Sequence, residues 1–213
     1  MSVATATFWD RAIQAEPNKP WQREIRRIVV ESEARRTRAD YNTGSILECE
    51  AYALRCLAEY LQARVVVEVG TFIGASTCAL ASASCVQAVY TCDVSNNCVK
   101  ATKVIRTYPK QTSTQMLQHL AKSGVKADLC FFDGSLTAED VDLLAGICHA
   151  STVFAVHDYN YGPKIRTHGL EILPRKGIGN MWLLQPKWPH YAVVKPVCAP
   201  GHTLAALVPE SML

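Results

Sequence analysis

The sequence predicts an α/β protein, a doubly wound and mostly parallel sheet with an N-terminal helical cap. Three observations predict it. From residue 65 onward, short runs of β-branched and aromatic residues alternate with segments of helical period, as strands joined by crossover helices do. The strand-like runs are apolar on both faces, as expected between two helix layers. Finally, VVVEVGTFIGAST (65–77) joins one such run to a helix start through Gly70 and Gly74. That turn lets the backbone approach a ligand at a helix N-terminus.

The elements follow in order. Residues 7–16 and 21–38 read as helices, split by the breaker EPNKP at 16–20. DYNTG (40–44) is a loop, and a helix is expected from Ser45 to Leu61, with Ser45 as N-cap and Glu48 completing a capping box. Leu47, Ala51, Leu54, Leu57, Ala58 and Leu61 repeat at close to helical period. VVVEV (65–69) is a strand, GASTCALASAS (74–84) a helix, AVYTCD (88–93) a strand, and 95–107 a helix. A short strand is placed at 108–112, before the helix STQMLQHLAKSG. ADLCFFD (127–133) is a buried strand, TAEDVDLLAGICHA (137–150) a helix, and STVFAVHD (151–158) another buried strand. NMWLLQ (180–185) reads as a strand, and YAVVKPV and TLAALV supply one or two more. The organisation expected is one domain over 1–213, a helical cap over 1–62 and a ligand-binding α/β core over 63–213.

Composition narrows the function. Hydrophobic residues make up 49% and charged residues 19%, as in a soluble globular protein. A formal charge of +3 gives no case for nucleic acid. Arg23, Arg26, Arg27, Arg35, Arg36 and Arg38 cluster, but interleaved acids make that a solvated helix face, with a phosphate- or partner-binding face as the alternative. Neither a secretory leader nor a membrane-spanning run is read, so the expectation is a cytoplasmic protein without a membrane partner. Nine cysteines are an odd count without zinc spacing. Cys49 with Cys56, and Cys78 with Cys85, are each seven apart in an expected helix and read as small buried thiols.

The candidate chemistry lies at the strand ends. Glu68, Asp93, Asp133 and Asp158 close four of the expected strands, where parallel sheets bind ligands. Three residues separate Gly70 from Gly74, which breaks the G-x-G-x-x-G pattern and disfavours a nicotinamide cofactor.

EVGTFIGAST, Asp93, FFDGS and VHDY, in that order, resemble the motif series of class I S-adenosylmethionine-dependent methyltransferases, which are Rossmann-like. The similarity is greatest to the small-molecule O-methyltransferase branch, of catechol and caffeoyl-CoA type, and to its cephalosporin-hydroxylase-like relatives. It spans roughly Ser45 to Gln185. The resemblance implies methyl transfer from S-adenosylmethionine to a small-molecule acceptor, most often an oxygen, and a homodimer is compatible with it. It implies a cofactor site made by Glu68, Gly70, Thr71, Gly74, Ser76, Asp93 and Asp133. In it Ser76 gives its hydroxyl to the cofactor carboxylate and Asp93 accepts the ribose hydroxyls. It also implies a divalent metal, Mg²⁺ or Mn²⁺, on Asp133 and Asp158, with His157 or Asn160 as a further ligand. The alternative for these acids is that one meets the cofactor amino group while the other caps a loop.

Two departures stand out. Tyr159 occupies the place of the expected amide, and Leu136 that of the lysine or histidine base. Three readings stay open: His157 takes the proton beside Asp133 in the catalytic site, the acceptor needs no base, or catalysis is lost. Tyr159, Tyr161, His168 and Trp182 are candidates for an acceptor pocket, and Tyr41, Asn42 and Thr43 for a cover over the cofactor. Two rival functions remain, another transferase using the same pocket and a catalytically silent binding or scaffold protein.

Overall fold

The computed structural model describes residues 8, 11–12, 21–36, 45–95, 99–158, 180–181, 183–194 and 204–213. Tyr41, Asn42, Thr43, Tyr159, Asn160, Tyr161, His168 and Trp182 lie outside the described residues. Two helices come first, α1 (Trp21–Glu33) and α2 (Glu48–Leu61). Then follow β1 (Val65–Val69), α3 (Ala75–Ala81), β2 (Ala88–Asp93) and β3 (Ile105–Pro109). The chain continues through α4 (Ser113–Lys122), β4 (Ala127–Phe132), α5 (Ala138–Ile147) and β5 (Cys148–Val156). It ends with β6 (Tyr191–Val194), β7 (Ala205–Pro209) and a short 3₁₀ turn at Glu210–Met212.

The strands form one sheet in the order β3-β2-β1-β4-β5-β7-β6. Strands β1 to β5 pair in parallel, while β7 is antiparallel to both β5 and β6. Each face of the sheet buries one apolar cluster. One joins Val66, Leu129 and Phe131 to Ile25, Leu54, Leu57 and Leu80 of α1, α2 and α3. The other joins Val67, Cys130 and Phe132 to Met116, Leu120 and Leu144 of α4 and α5. The doubly wound, mostly parallel architecture is the one expected. Among the described residues, no helix is long and apolar enough to cross a membrane.

The order reverses between β1 and β4, which makes the crevice beyond their carboxyl ends the topological switch point. Backbone polar groups fix this register from below. Asp128 Oδ2 accepts from the Arg64 and Val65 amides, each at 2.8 Å, and so ties the start of β1 to β4.

Local expectations needed several corrections. No helix forms over 99–107. Instead the Thr102 hydroxyl accepts from the Val104 and Ile105 amides, and Ile105 opens β3, so local side-chain bonding and pairing with β2 displace helix. The expected strand at 180–185 is helical at Asn180, Met181, Leu183 and Leu184. There the Gln185 amide donates to Met181 O, a local bond in place of a ladder. Helix α2 starts at Glu48 behind Leu47, not at Ser45, because the Glu50 carboxylate caps the Leu47 amide at 2.8 Å. Cys49 is exposed, and Cys85 lies beyond the end of α3. The arginine cluster is not wholly solvated: Arg35 Nε donates to Ile73 O at 2.8 Å, and the Arg36 guanidinium sits 5.1 Å from the Phe72 ring centroid. The turn that follows α1 thus braces the turn after β1.

The two motif glycines serve contacts within the chain. Gly70 has φ +98°, and a Cβ there would lie 2.5 Å from Gly134 N. Its bare Cα lets the turn after β1 meet the turn after β4. Gly74 has φ +80°, and its Cβ would fall 1.7 Å from Val99 Cγ1. Gly70→Ala therefore combines a strained φ with a backbone clash and is expected to cost about 2–4 kcal/mol in urea unfolding. Gly124→Ala shares the positive φ but meets nothing within 4 Å. It should cost only about 1 kcal/mol. Equal losses for the two variants would mean that the Gly70–Gly134 approach has no special importance.

Candidate functional site

Glu68 lies within β1 and is 0% exposed. Its carboxylate accepts from the hydroxyls of Ser76 and Thr77 on α3, and from Thr91 Oγ1 of β2 at 2.6 Å. These bonds satisfy an otherwise costly buried charge and join β1, β2 and α3. Burial pushes the Glu68 carboxyl up to about 7; the three hydroxyl bonds oppose that rise and the nearby Asp133 charge adds to it. The Ser76 hydroxyl, which the resemblance directs to a cofactor carboxylate, donates to Glu68 here. Thr71 Oγ1 meets Thr91 Oγ1 at 2.5 Å, and the Gly70 and Thr71 amides both donate to Cys92 O.

Asp93 ends β2 and is partly exposed. Its Oδ2 accepts from the Phe72 amide at 2.7 Å and its Oδ1 from the Ser95 amide at 2.8 Å. The carboxylate is therefore held rigidly, yet each oxygen keeps a lone pair for another donor.

Asp133 follows β4, and His157 and Asp158 follow β5 on the neighbouring strand. His157 Nδ1 is 2.9 Å from Asp133 Oδ1 and 3.7 Å from Asp158 Oδ1. Its Nε2 is 3.2 Å from Glu50 Oε2. Burial alone would favour the neutral ring, but hydrogen bonds to Asp133 and Glu50, and then their charges, push His157 up to about 10. As an imidazolium it has no lone pair with which to take a proton. Asp133, His157 and Asp158 each bring a potential ligand atom within 4.8 Å of the others. Phe72 (φ 44°) and Asp158 (φ 60°) adopt left-handed backbone on either side of the crevice, the kind of conformation that surrounding structure must enforce.

Three residues of this region escaped the sequence reading. Glu50 is 1% exposed although charged. Its signal was its place on the same helix face as Leu54, Leu57 and Leu61. Asn180 was assigned to a strand. It accepts from the Leu136 amide and donates to Gly134 O, both at 2.8 Å, and so holds the turn after Asp133. Leu136 itself is buried in the core. Val99, which covers Gly74, had no signal, because the contact is made only once the chain between β2 and β3 folds back.

No protein-family model matches the chain, and no match was found among curated proteins. Solved structures do match. The chain is similar to an O-methyltransferase from Bacillus cereus in complex with SAH, at 17% identity and TM-score 0.62, covering 96% of this chain and 98% of that one. It is similar to the O-methyltransferase TomG from Streptomyces achromogenes in complex with SAM, at 15% identity and TM-score 0.61, over 85% and 89% of the two chains. SAH-bound methyltransferase PaMTH1 from Podospora anserina matches at 14% identity and TM-score 0.58, over 85% and 87%. The protein shares the fold of these O-methyltransferases, a class in which the sheet is Rossmann-like.

The buried Glu68 predicts a pH dependence. Its folded pKa lies above the ordinary 4.5, so the folded state keeps a proton that the unfolded chain releases. Stability therefore falls as pH rises from about 4.5 through about 7. Glu68→Gln should remove this component, on the order of 3 kcal/mol across the window. Urea unfolding of both proteins at pH 4.5 and pH 8 measures it, and parallel profiles would show that Glu68 is ionised without cost.

Proposed function

We propose that the protein transfers a methyl group from S-adenosylmethionine to an oxygen of a small-molecule acceptor, in the crevice beyond β1, β2, β4 and β5. The observation that carries this reading is Asp93. It is a rigid, partly exposed carboxylate at the end of β2 beside the switch point, in a fold shared along nearly its whole length with SAH- and SAM-bound O-methyltransferases. Two oxygens with lone pairs to spare fit a ribose diol.

In this proposal Asp93 holds the ribose. The turn at Gly70, Thr71 and Gly74 shapes the methionine end, with Glu68 and Ser76 acting from beneath it as a rigid brace. Asp133 closes the far side. The cofactor would supply an electrophilic methyl on sulfur. The chain contributes alignment, which accounts for up to ~7–11 kcal/mol of such a barrier. With Leu136 in the core and His157 between two carboxylates, the reading that fits best is an acceptor that arrives ionised or needs no base. Residues 1–213 are proposed to work as one unit, with 1–62 as the cap, in the cytoplasm; a homodimer is compatible with this.

A resident divalent metal fits less well. Asp133, His157 and Asp158 are close enough to share an ion. Both imidazole nitrogens face carboxylates, so His157 would ligate only by giving up one of those pairings, and the oxygens of Asp133 and Asp158 would be the ligands.

Titration calorimetry with S-adenosylhomocysteine tests the function, followed by a methyl-transfer screen. Wild type should bind. Asp93→Ala should bind about 10–150-fold more weakly, since hydrogen bonds to a charged group contribute ~1.5–3 kcal/mol. No binding by wild type would overturn the proposal, and unchanged affinity in Asp93→Ala would place the ribose elsewhere.

A further inference from the structure

The geometry points to Arg35 as the residue that recognises the carboxylate of the cofactor's methionine moiety. It makes the site selective for S-adenosylmethionine and S-adenosylhomocysteine over nucleosides that lack that group. The inference rests on the cofactor site proposed above and adds to it a residue from outside the motif series.

Arg35 follows α1 and reaches the turn after β1. Its Nε donates to Ile73 O at 2.8 Å and its Nη2 to Ser32 Oγ at 2.6 Å. Cys78 Sγ lies 3.9 Å from Nη2, and a Cβ on Gly74 would lie 3.6 Å from it. All three acceptors are neutral. The arginines around it are compensated differently: Arg27 pairs with Glu31, Arg36 with Glu33, and Arg55 with Glu24. Arg35 forms no ion pair among the described residues, and its Nη1 donates to none of them. The guanidinium is thus fixed in place while its charge and the N–H groups of Nη1 remain unspent.

That charge sits at the rim where a bound cofactor needs one. Glu68, Asp93, Asp133 and Asp158 gather at the strand ends, and a carboxylate brought among them is repelled unless a cation receives it. Ile73, the residue that anchors Arg35, follows Phe72, whose amide holds Asp93 Oδ2 at 2.7 Å. One turn therefore presents a carboxylate for the ribose diol and a guanidinium no more than ~7 Å of chain further on. A ribose and a methionine carboxylate need that order and a spacing of that scale. Ser76, the other candidate donor for the cofactor carboxylate, is committed to Glu68. The bonds that fix Arg35 beforehand also reduce the side-chain freedom lost when an anion binds.

Titration calorimetry with two nucleosides tests this: S-adenosylhomocysteine and its decarboxylated form, which lacks the carboxylate alone. Wild type should bind S-adenosylhomocysteine more tightly. Arg35→Gln should bind S-adenosylhomocysteine about 10–100-fold more weakly, the scale of a hydrogen bond to a charged group, and the decarboxylated compound no more weakly than wild type does. Arg35→Lys keeps the charge and should restore part of the preference. A residue that only braced the turn would weaken both compounds alike, and that result would overturn the inference. So would unchanged S-adenosylhomocysteine affinity in Arg35→Gln, or a wild type without preference. If wild type binds neither compound, the proposed cofactor site fails and takes this inference with it. If wild type binds both and its selectivity does not depend on Arg35, the inference alone fails.

Discussion

The crevice depends on one buried carboxylate. Glu68 sits inside β1 with no exposure, and three hydroxyls from α3 and β2 converge on it. A buried acid is tolerable only when its lone pairs are filled. That need dictates where α3 starts, how β2 lies against β1, and the shape of the turn between them. Arg35 and Arg36, just after α1, brace the same turn through Ile73 O and the Phe72 ring. The rigid Asp93 carboxylate then follows, because the Phe72 amide of that turn is one of its two donors.

The second organising feature is charge. Acids accumulate where four of the five parallel strands end, and they cannot all ionise beside one another without compensation. Compensation takes two forms here. Around Glu68 it comes from neutral donors, and burial still raises the affinity for a proton. Around Asp133 it comes from a full positive charge on His157, shared with Glu50 across the ring. The first arrangement builds a floor for the crevice, and the second ties its wall to the helical cap. The first is built from donors near in sequence, and the second joins distant elements, with Glu50 and His157 107 positions apart.

The alternating apolar runs by themselves determined the sheet class, since only a strand buried on both faces reads as VVVEV or ADLCFF. They also determined that acids would gather at strand ends, because Asp93 and the FFDG and HDY turns follow each run directly. The sequence could not show what those acids face. A glycine signals a missing Cβ, but whether cofactor or backbone fills the space depends on the neighbouring turn. Gly134 and Val99 fill it here. The residues at 99–107 and 180–185 have ambiguous local preference: pairing with β2 drew Ile105 and its successors into a strand, while a local bond from the Gln185 amide to Met181 O favoured helix. Glu50 shows the division most clearly. Its place on one helix face with Leu54, Leu57 and Leu61 is a property of the sequence, though its burial was not read from it. Its partner was decided by the tertiary structure alone, because hydrogen bonding to an imidazole depends on distance in space and not on position along the chain.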